Sequence, residues 1–301
     1  MTDNEILEKF LDDCRIRNMD ELSIVCYKYG ISRFLDYLKN TNKTILECDN
    51  DEIRDYIRYS RLERKLTQKT IENYLSYLSS MYDFLVYENL KNKNPIIAVR
   101  KRYLNQYKNN DCVNNKYIPT VEEMGRFLNS IVDARDKAMA VLFAKTGIRR
   151  KELIAIDVDD IDWMRQSFIL KPTKKRTNRM MFFDDECGMI LKRWLKRREQ
   201  LQPPKECKSL FIGEGGKRLQ RSGVYNNIKK WADSYGLKDF HPHAFRHWFT
   251  THMRRNGMPR SFIQELRGDS REKEAIDIYD HIDLEELRKS YLGCVPIFGV
   301  Y

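Results

Sequence analysis

Apolar residues in the first 90 positions recur at intervals of three and four, the spacing of one face of an α-helix. Four such segments follow one another, and the longest opens at Thr67. The apolar positions of that segment are Ile71, Leu75, Leu78, Met81, Phe84 and Leu85. The Asn94-Pro95 step ends the pattern, because a residue before proline disfavours helical geometry. The pattern predicts a compact helical domain over residues 1–95.

Helical periodicity is lost in the next segment, which contains several cationic residues and a single acidic residue, Asp111. Such a composition is typical of a connection between domains. We therefore predict a basic linker over residues 96–116, with a second domain over residues 117–301. The charge of this linker would allow it to run along a phosphate backbone.

The second domain mixes helical and strand patterns. Residues 120–123 have the form of a capping box, and a strongly apolar helix over residues 134–145 stops at Gly147. Two short apolar runs, 167–170 and 180–183, predict the strands of a hairpin. The predicted fold is mainly α with a small antiparallel β-sheet. The hairpin loop between the strands is rich in cations and contains no acid.

The last thirty residues predict two more helices and an apolar tail. A short helix is expected over residues 272–279, and a capping pattern at residues 283–286 opens a final helix to about Tyr291. The tail, residues 294–301, is apolar and follows Gly293. An apolar tail of this kind either packs on its own domain or reaches a neighbouring molecule.

Charge narrows the class of partner. The 301 residues carry a formal net charge of +11 at pH 7, which favours a polyanion such as nucleic acid or a membrane surface. The longest apolar run, residues 138–144, is far too short to cross a bilayer, and the polar first ten residues do not resemble a signal peptide. The seven cysteines show no CxxC spacing, so we expect free thiols in a reducing compartment, the cytoplasm.

Histidines are concentrated in one segment. The chain has five, of which four lie within residues 241–252 and the fifth is His281. On the helix predicted to start at Pro242, His243 and Arg246 share a face, and together they could hold a phosphate and move a proton. Two other interpretations remain: a surface pair without function, and a zinc site using His243 and His247. The lack of a CxxC motif makes zinc the weaker one.

This pair belongs to one of three short sequence boxes. Residues 146–153 read Thr-Gly-Ile-Arg-Arg-Lys-Glu-Leu, residues 243–247 read His-Ala-Phe-Arg-His, and residues 278–281 read Ile-Tyr-Asp-His. A basic hairpin lies between the first two boxes, with Lys174 at its tip. In this order and spacing the chain resembles the tyrosine recombinases, the family of phage-type integrases and Xer-like resolvases, including archaeal members. The resemblance covers the whole chain and implies a helical SAM-like core-binding domain followed by a catalytic domain.

The resemblance also implies the roles of individual residues. Arg149 and Arg246 would clamp the non-bridging oxygens of one DNA phosphate, while Tyr279 attacks phosphorus and forms a 3′-phosphotyrosyl bond. Lys174, or alternatively Lys175, would protonate the departing 5′ oxygen. His243 would assist proton movement. Glu152 and His247 are expected to support these groups. Glu152 would orient the basic side chains. Neither a metal nor a nucleotide cofactor is required, because the covalent bond stores the phosphodiester energy.

One position departs from the family pattern. Members usually carry Leu-x-Gly-His or Leu-x-Gly-Trp ahead of the tyrosine, whereas this chain reads Leu266-Arg267-Gly268-Asp269. A carboxylate beside a phosphate would repel it unless the carboxylate is paired or protonated. Asp269 is therefore expected either to bond an arginine near the site or, as we prefer, to cap the following helix.

The family implies double-stranded DNA as the partner and a homo-oligomer on DNA, a tetramer, whose tails dock on neighbouring protomers. No membrane partner is expected. Two alternatives stay open at this stage. One is a DNA-binding protein of the same fold that has lost catalysis, with Asp269 as the sign of that loss. The other is a type IB topoisomerase-like enzyme that relaxes DNA as a monomer.

Overall fold

A computed structural model of the chain describes residues 1–104, 117–172, 179–268 and 282–300. The chain divides into two compact units, Met1–Asn114 and Asn115–Tyr301, each with its own apolar core. Helices dominate both, and the described strands form one small antiparallel sheet. The predicted fold class is confirmed. In the ranges that the structure describes, no helix combines the length and apolarity needed to span a bilayer.

The first unit is a bundle of helices, as the periodicity predicts. Their bounds are α1 Asp3–Ile16, α2 Glu21–Lys39, α3 Asn50–Leu62, α4 Gln68–Tyr87 and α5 Pro95–Tyr103. Thr2 and Asp49 close capping boxes at the starts of α1 and α3, which satisfies backbone N–H groups that a helix start leaves unpaired. The apolar face of α4 is buried in the core, where Leu75, Leu78 and Met81 are fully inaccessible.

Helix α5 corrects part of the predicted linker. Residues 96–103, expected to lack regular structure, are helical because Asn94 caps the helix and Pro95 occupies its first position. The Asn94 side chain accepts a hydrogen bond from the Ile96 N–H at 2.9 Å. Ile96 and Val99 are buried in the core of the first unit, so this part of the segment belongs to that unit. Residues 105–116 lie outside the described residues.

The second unit is organised around a buried helix. Its helices are α6 Val121–Ser130, α7 Ala134–Thr146, α8 Arg150–Ala155, α9 Asp185–Gln200, α10 Arg221–Tyr235, α11 Pro242–Arg255, α12 Arg260–Arg267 and α13 Leu284–Cys294. Every residue from 138 to 146 is buried, and α7 packs against both α9 and α11. The predicted central helix is therefore present, and α7 ends at Gly147 as expected.

The sheet consists of β1 Ile161–Asp162, β2 Ser167–Leu170 and β3 Arg179–Phe182, in that order. All pairs are antiparallel, and Ser167 lies opposite Phe182 while Leu170 lies opposite Arg179. The β2 prediction is confirmed residue for residue, and β3 starts one residue earlier than predicted. The early start brings Arg179 into the ladder, which matters for the site below.

The apolar tail packs on its own unit. The N–H groups of Phe298 and Val300 donate to the Glu186 carboxylate at 3.1 and 2.7 Å, and the Phe298 ring is buried 5.4 Å from that of Trp248. Beneath this ring lies Lys145, which is fully buried. Of the two positions that the sequence allowed for the tail, residues 295–300 adopt the one on their own domain.

Candidate active site

Arg149 is positioned by the turn between α7 and α8. Gly147 ends α7 with φ 61°, a left-handed geometry that favours glycine. A Cβ at this position would also come within 2.5 Å of the Phe249 ring. The turn leaves Arg149 as the N-terminal cap of α8, where its backbone N–H donates to Glu152 Oε2 at 2.7 Å. Its Nη1 lies 3.3 Å from Glu152 Oε1.

Arg246 is held in the core of the second unit. It lies on α11, whose start at Pro242 matches the prediction, and only 2% of its surface is exposed. Arg246 Nη1 donates to the Gly147 carbonyl at 2.9 Å, and Nη2 donates to the Arg267 carbonyl at 2.8 Å. The planar guanidinium is thus fixed by backbone groups from two separate segments.

The two predicted arginines donate hydrogen bonds to the same atom. Arg149 Nη1 donates at 2.9 Å to the same Arg267 carbonyl that accepts from Arg246. This carbonyl belongs to the last residue of α12, just before Gly268 turns left-handed at φ 56°. This acceptor could not be predicted, because a backbone oxygen carries no side-chain signature. The turn after α7, helix α11 and the end of α12 therefore converge on one point.

Glu152 links this point to the sheet. Its side chain is 7% exposed, and Oε1 accepts from Arg149 Nη1 and, at 2.8 Å, from Arg179 Nη2. These contacts place the Glu152 carboxylate between the two guanidinium groups, and its orienting role stays a prediction. Arg179 was not predicted as part of the site. The available signal was an arginine at the start of an otherwise apolar strand, a position that can face inward.

His243 lies in the first turn of α11, three residues before Arg246. The pKa of His243 is lowered from its ordinary value, first because partial burial disfavours the charged ring, and then because His247, His241 and the two arginines add positive charge nearby. The rings of His243 and His247 lie 4.7 Å apart, nearly perpendicular, and both side chains are exposed. The lowered pKa favours the neutral ring of His243 at pH 7, the form that can accept a proton.

The structure brings Arg149, Glu152 and Arg246 together, and His243 lies on the same helix as Arg246. The remaining predicted residues lie outside the described residues, namely Lys174, Lys175, Asp269, Tyr279 and His281. Within the described part of the chain, no group of three or more His, Cys, Asp or Glu side chains is arranged to hold a metal ion. The arrangement that is present concentrates positive charge and hydrogen-bond donors, which suits an anion with several oxygens.

Two family comparisons cover both units. A model of the phage integrase family matches residues 120–286, and a model of the N-terminal SAM-like domain of phage integrases matches residues 6–92. The chain belongs to the phage integrase family. It is accordingly a tyrosine recombinase, an enzyme of site-specific DNA recombination. The family match contains the whole cluster around Arg149 and Arg246, and the alternatives of a binding protein or a relaxing enzyme are not favoured.

Individual integrases and Xer recombinases resemble the chain along its full length. Tyrosine recombinase XerD of Oceanobacillus iheyensis is 25% identical over 296 residues, covering 96% of this chain and 98% of the relative. XerC of Treponema denticola is 28% identical over 309 residues, covering 97% and 99%. Among solved structures, the Tn1549 transposon integrase in complex with a circular intermediate DNA is 19% identical with a TM-score of 0.72, covering 94% and 97%. A lambda integrase dimer bound to a COC′ core site is 16% identical with a TM-score of 0.68, covering 94% and 100%.

Proposed function

We propose that this recombinase cuts and rejoins double-stranded DNA through a 3′-phosphotyrosyl bond, with Arg149 and Arg246 binding the phosphate that is cut. The observation that carries this proposal is the convergence of both guanidinium groups on the Arg267 carbonyl oxygen. Two cations held so close together repel each other, and an anion placed against them relieves that repulsion. A phosphodiester offers two charged non-bridging oxygens for this purpose.

The bond changes follow from phosphate chemistry and the family. The Tyr279 oxygen loses its proton and attacks phosphorus, the bond from phosphorus to the 5′ oxygen breaks, and Lys174 or Lys175 gives a proton to the departing oxygen. The two arginines stabilise the charge that builds on the non-bridging oxygens. A 5′-hydroxyl from a second strand then attacks the phosphotyrosyl bond and releases Tyr279. Both steps exchange one phosphate ester for another, so no energy source is consumed.

His243 is the group proposed to move protons near the phosphate. Its lowered pKa supports this role, because a neutral ring at pH 7 can take a proton from the attacking phenol or share one with a phosphate oxygen. Glu152 lies between two arginines and orients them without reacting. His247 and Asp269 are proposed to support the site, the latter by capping the helix that follows it.

Several protomers are needed to exchange strands between two DNA duplexes, and we propose a homotetramer on DNA. The net charge of +11 supports binding to a polyanion. The DNA in the solved structures of the Tn1549 and lambda integrases also supports a duplex substrate. Because the proposed substrate is genomic or mobile-element DNA, we place the protein in the cytoplasm of its cell.

The test uses nicked duplexes that tile the DNA on either side of the coding region, since an integrase often lies beside its own attachment site. A nick close to the cut lets a short strand diffuse away, so the covalent protein–DNA adduct accumulates. We expect one duplex to give an adduct that resists boiling in detergent. We expect Tyr279→Phe to bind the same duplex with unchanged Kd and to form no adduct.

A matched control separates the role of one phenol from a general effect of losing a hydroxyl. Tyr235→Phe changes a partly exposed tyrosine at the end of α10 in the same unit, and the adduct yield should stay at the wild-type level. An adduct that persists in Tyr279→Phe would reject that nucleophile. Binding without any adduct, on all tiled duplexes, would instead support a protein that has lost catalysis.

A further inference from the structure

Arg179 is a buried cation that the proposed reaction does not use. It opens β3 opposite Leu170, at the base of the hairpin, and is 8% exposed. Its Nη2 donates to Glu152 Oε1 at 2.8 Å, and both side chains of this pair are 7% exposed. A buried ion pair costs desolvation energy, so its presence beside the site calls for a reason other than stability.

One nitrogen of this guanidinium has no hydrogen-bond partner among the described residues. Arg179 Nη1 is buried there without a partner, whereas buried polar groups are nearly always paired. The group lies flush against the end of α12. A Cβ added to Gly268 would come within 2.5 Å of Arg179 Cζ and would overlap Nη1. The guanidinium is therefore held by shape as well as by charge, between Glu152 and the backbone of Gly268.

Both contacts lead to the phosphate-binding arginines. Glu152 Oε1 accepts from Arg179 on one side and from Arg149 Nη1, at 3.3 Å, on the other. Gly268 directly follows Arg267, whose carbonyl accepts from Arg149 and Arg246. A shift of Arg179 would thus move the carboxylate that orients Arg149 and would release the segment that carries the shared acceptor.

We propose that Arg179 is a positioning residue for DNA cleavage. It holds Glu152 and the end of α12, so that the guanidinium groups of Arg149 and Arg246 keep their positions relative to each other. This inference rests on the proposed function, because the readout is phosphotyrosyl formation. It assigns to Gly268 the role of leaving room for the guanidinium. In this role Arg179 acts through Glu152 and the Arg267 carbonyl.

The first experiment separates positioning from folding. Arg179→Gln and Arg179→Lys are compared with the wild type for Kd on the cleavable nicked duplex, for the single-turnover rate of adduct formation, and for thermal unfolding. We expect Arg179→Gln to lower the cleavage rate by about tenfold to a hundredfold, because a small misplacement of catalytic groups has effects of that size. Kd should change by less than about threefold, since the outer surface is untouched. Lysine, which can still bond Glu152, should retain more of the rate than glutamine.

The control is Arg218→Gln, which removes an arginine of the same unit that is ion-paired to Asp157 and 42% exposed. Its cleavage rate should equal that of the wild type. If the wild type forms no adduct, the proposed function itself fails. If the wild type forms the adduct and Arg179→Gln cleaves at the same rate once bound, the positioning role is overturned. The positioning role is also overturned if Arg179→Gln is less stable but its folded fraction cleaves DNA at the wild-type rate.

A second experiment remains decisive if Arg179→Gln folds poorly. Gly268→Ala should slow cleavage in the wild-type background, and the loss should shrink when Arg179 is also changed to alanine, because the clash disappears. Gly236→Ala serves as the control, since Gly236 also has a positive φ, of 91°, but nothing within 4 Å of an added Cβ. Equal losses from Gly268→Ala in both backgrounds would overturn the proposal.

Discussion

Arg149 and Arg246 donate hydrogen bonds to the same acceptor, the carbonyl oxygen of Arg267, over 2.9 and 2.8 Å. The two residues are almost a hundred positions apart in the chain and come from a helix cap and from the buried face of α11. Their distance from each other is therefore set by the backbone at the end of α12. Any change that moves this carbonyl, or removes the fork that reaches it, should affect both arginines at once.

Arg246→Lys should slow cleavage strongly while the protein remains folded and bound to DNA. A single ammonium cannot reach both the Gly147 and the Arg267 carbonyls, which the two arms of Arg246 bond separately. We expect the single-turnover rate to fall by about a hundredfold to a thousandfold, the usual cost of losing one transition-state donor. Arg254→Lys, on the exposed side of the same helix, should leave the rate unchanged. A rate within a few-fold of the wild type in Arg246→Lys would contradict the role of the fork.

The cleavage rate should fall with acidity only below the ordinary pKa of histidine, about 6.5. The folded pKa of His243 is lowered by burial and by its cationic neighbours, so the ring stays neutral at pH 7 and gains a proton only at lower pH. Single-turnover rates from about pH 5 to about pH 8 check this prediction. His243→Gln should be slower and should lack that acid limb. An acid limb centred above pH 7 in the wild type would contradict a neutral His243.

The same shift has a consequence for stability. In the window between the lowered folded pKa and the unfolded value, the unfolded chain binds more protons, so the free energy of unfolding falls as pH drops below about 6.5. His252, buried against the Pro119 carbonyl, has a pKa lowered by burial and acts in the same direction. Urea unfolding at a series of pH values should show this decline. It should be weaker in His252→Gln, and an equal decline in that variant would exclude His252.

Replacing Lys145 should destabilise the catalytic unit more than any surface lysine does. Its ammonium is fully buried and lies 2.5 Å from both Asp184 and Glu186, and 2.6 Å from the Pro296 carbonyl. Lys145→Met would leave two nearly buried carboxylates without their cation, at a cost of about 3 to 5 kcal/mol in the free energy of unfolding. Lys196→Met, on the exposed face of α9, should cost less than about 0.5 kcal/mol. Similar urea midpoints for both variants would refute the buried network.

Phe298→Ala tests whether the tail packs on its own unit in solution. The ring is 8% exposed and lies 4.5 Å from the Lys145 ammonium, so its loss should lower the free energy of unfolding by about 3 kcal/mol. Ile297→Ala removes a side chain that is 77% exposed and should have almost no effect. The measurement is urea unfolding at low protein concentration, where neighbouring molecules cannot contribute. No difference between the variants would mean that the tail is not docked on its own domain.

Much of the fold could be predicted because local rules and tertiary packing agree. Periodicity and caps predicted α1 to α4, α6, α7 and α11, and two short apolar runs predicted β2 and β3. Helix α5 was not predicted because its cationic residues made the segment resemble a linker, although Ile96 and Val99 are buried. The direction of the tail could not be predicted either, since its docking depends on Glu186 and Lys145, more than a hundred residues away.

Only part of the predicted site lies in the described ranges, so only that part could be compared with the structure. Motif spacing predicted Arg149, Glu152 and Arg246, and the structure brings these three together. Arg179 was missed because a single arginine in a hairpin resembles the solvated cations around it. The shared Arg267 carbonyl was missed because the position of a backbone oxygen depends on the fold alone. The assignments of Lys174, Asp269 and Tyr279 stay predictions, since these residues lie outside the described ranges.

Both arginines are proposed to bind the charged oxygens of the phosphate that is cut. The most direct measurement replaces one non-bridging oxygen of that phosphate by a methyl group, which removes its negative charge, and compares the cleavage rates of the wild type and Arg246→Ala. We predict that the rate ratio between the two proteins is large on natural DNA and much smaller when the methyl group lies at the cut position. It should stay large when the methyl group lies one nucleotide away. The same large ratio on all three substrates would contradict the account.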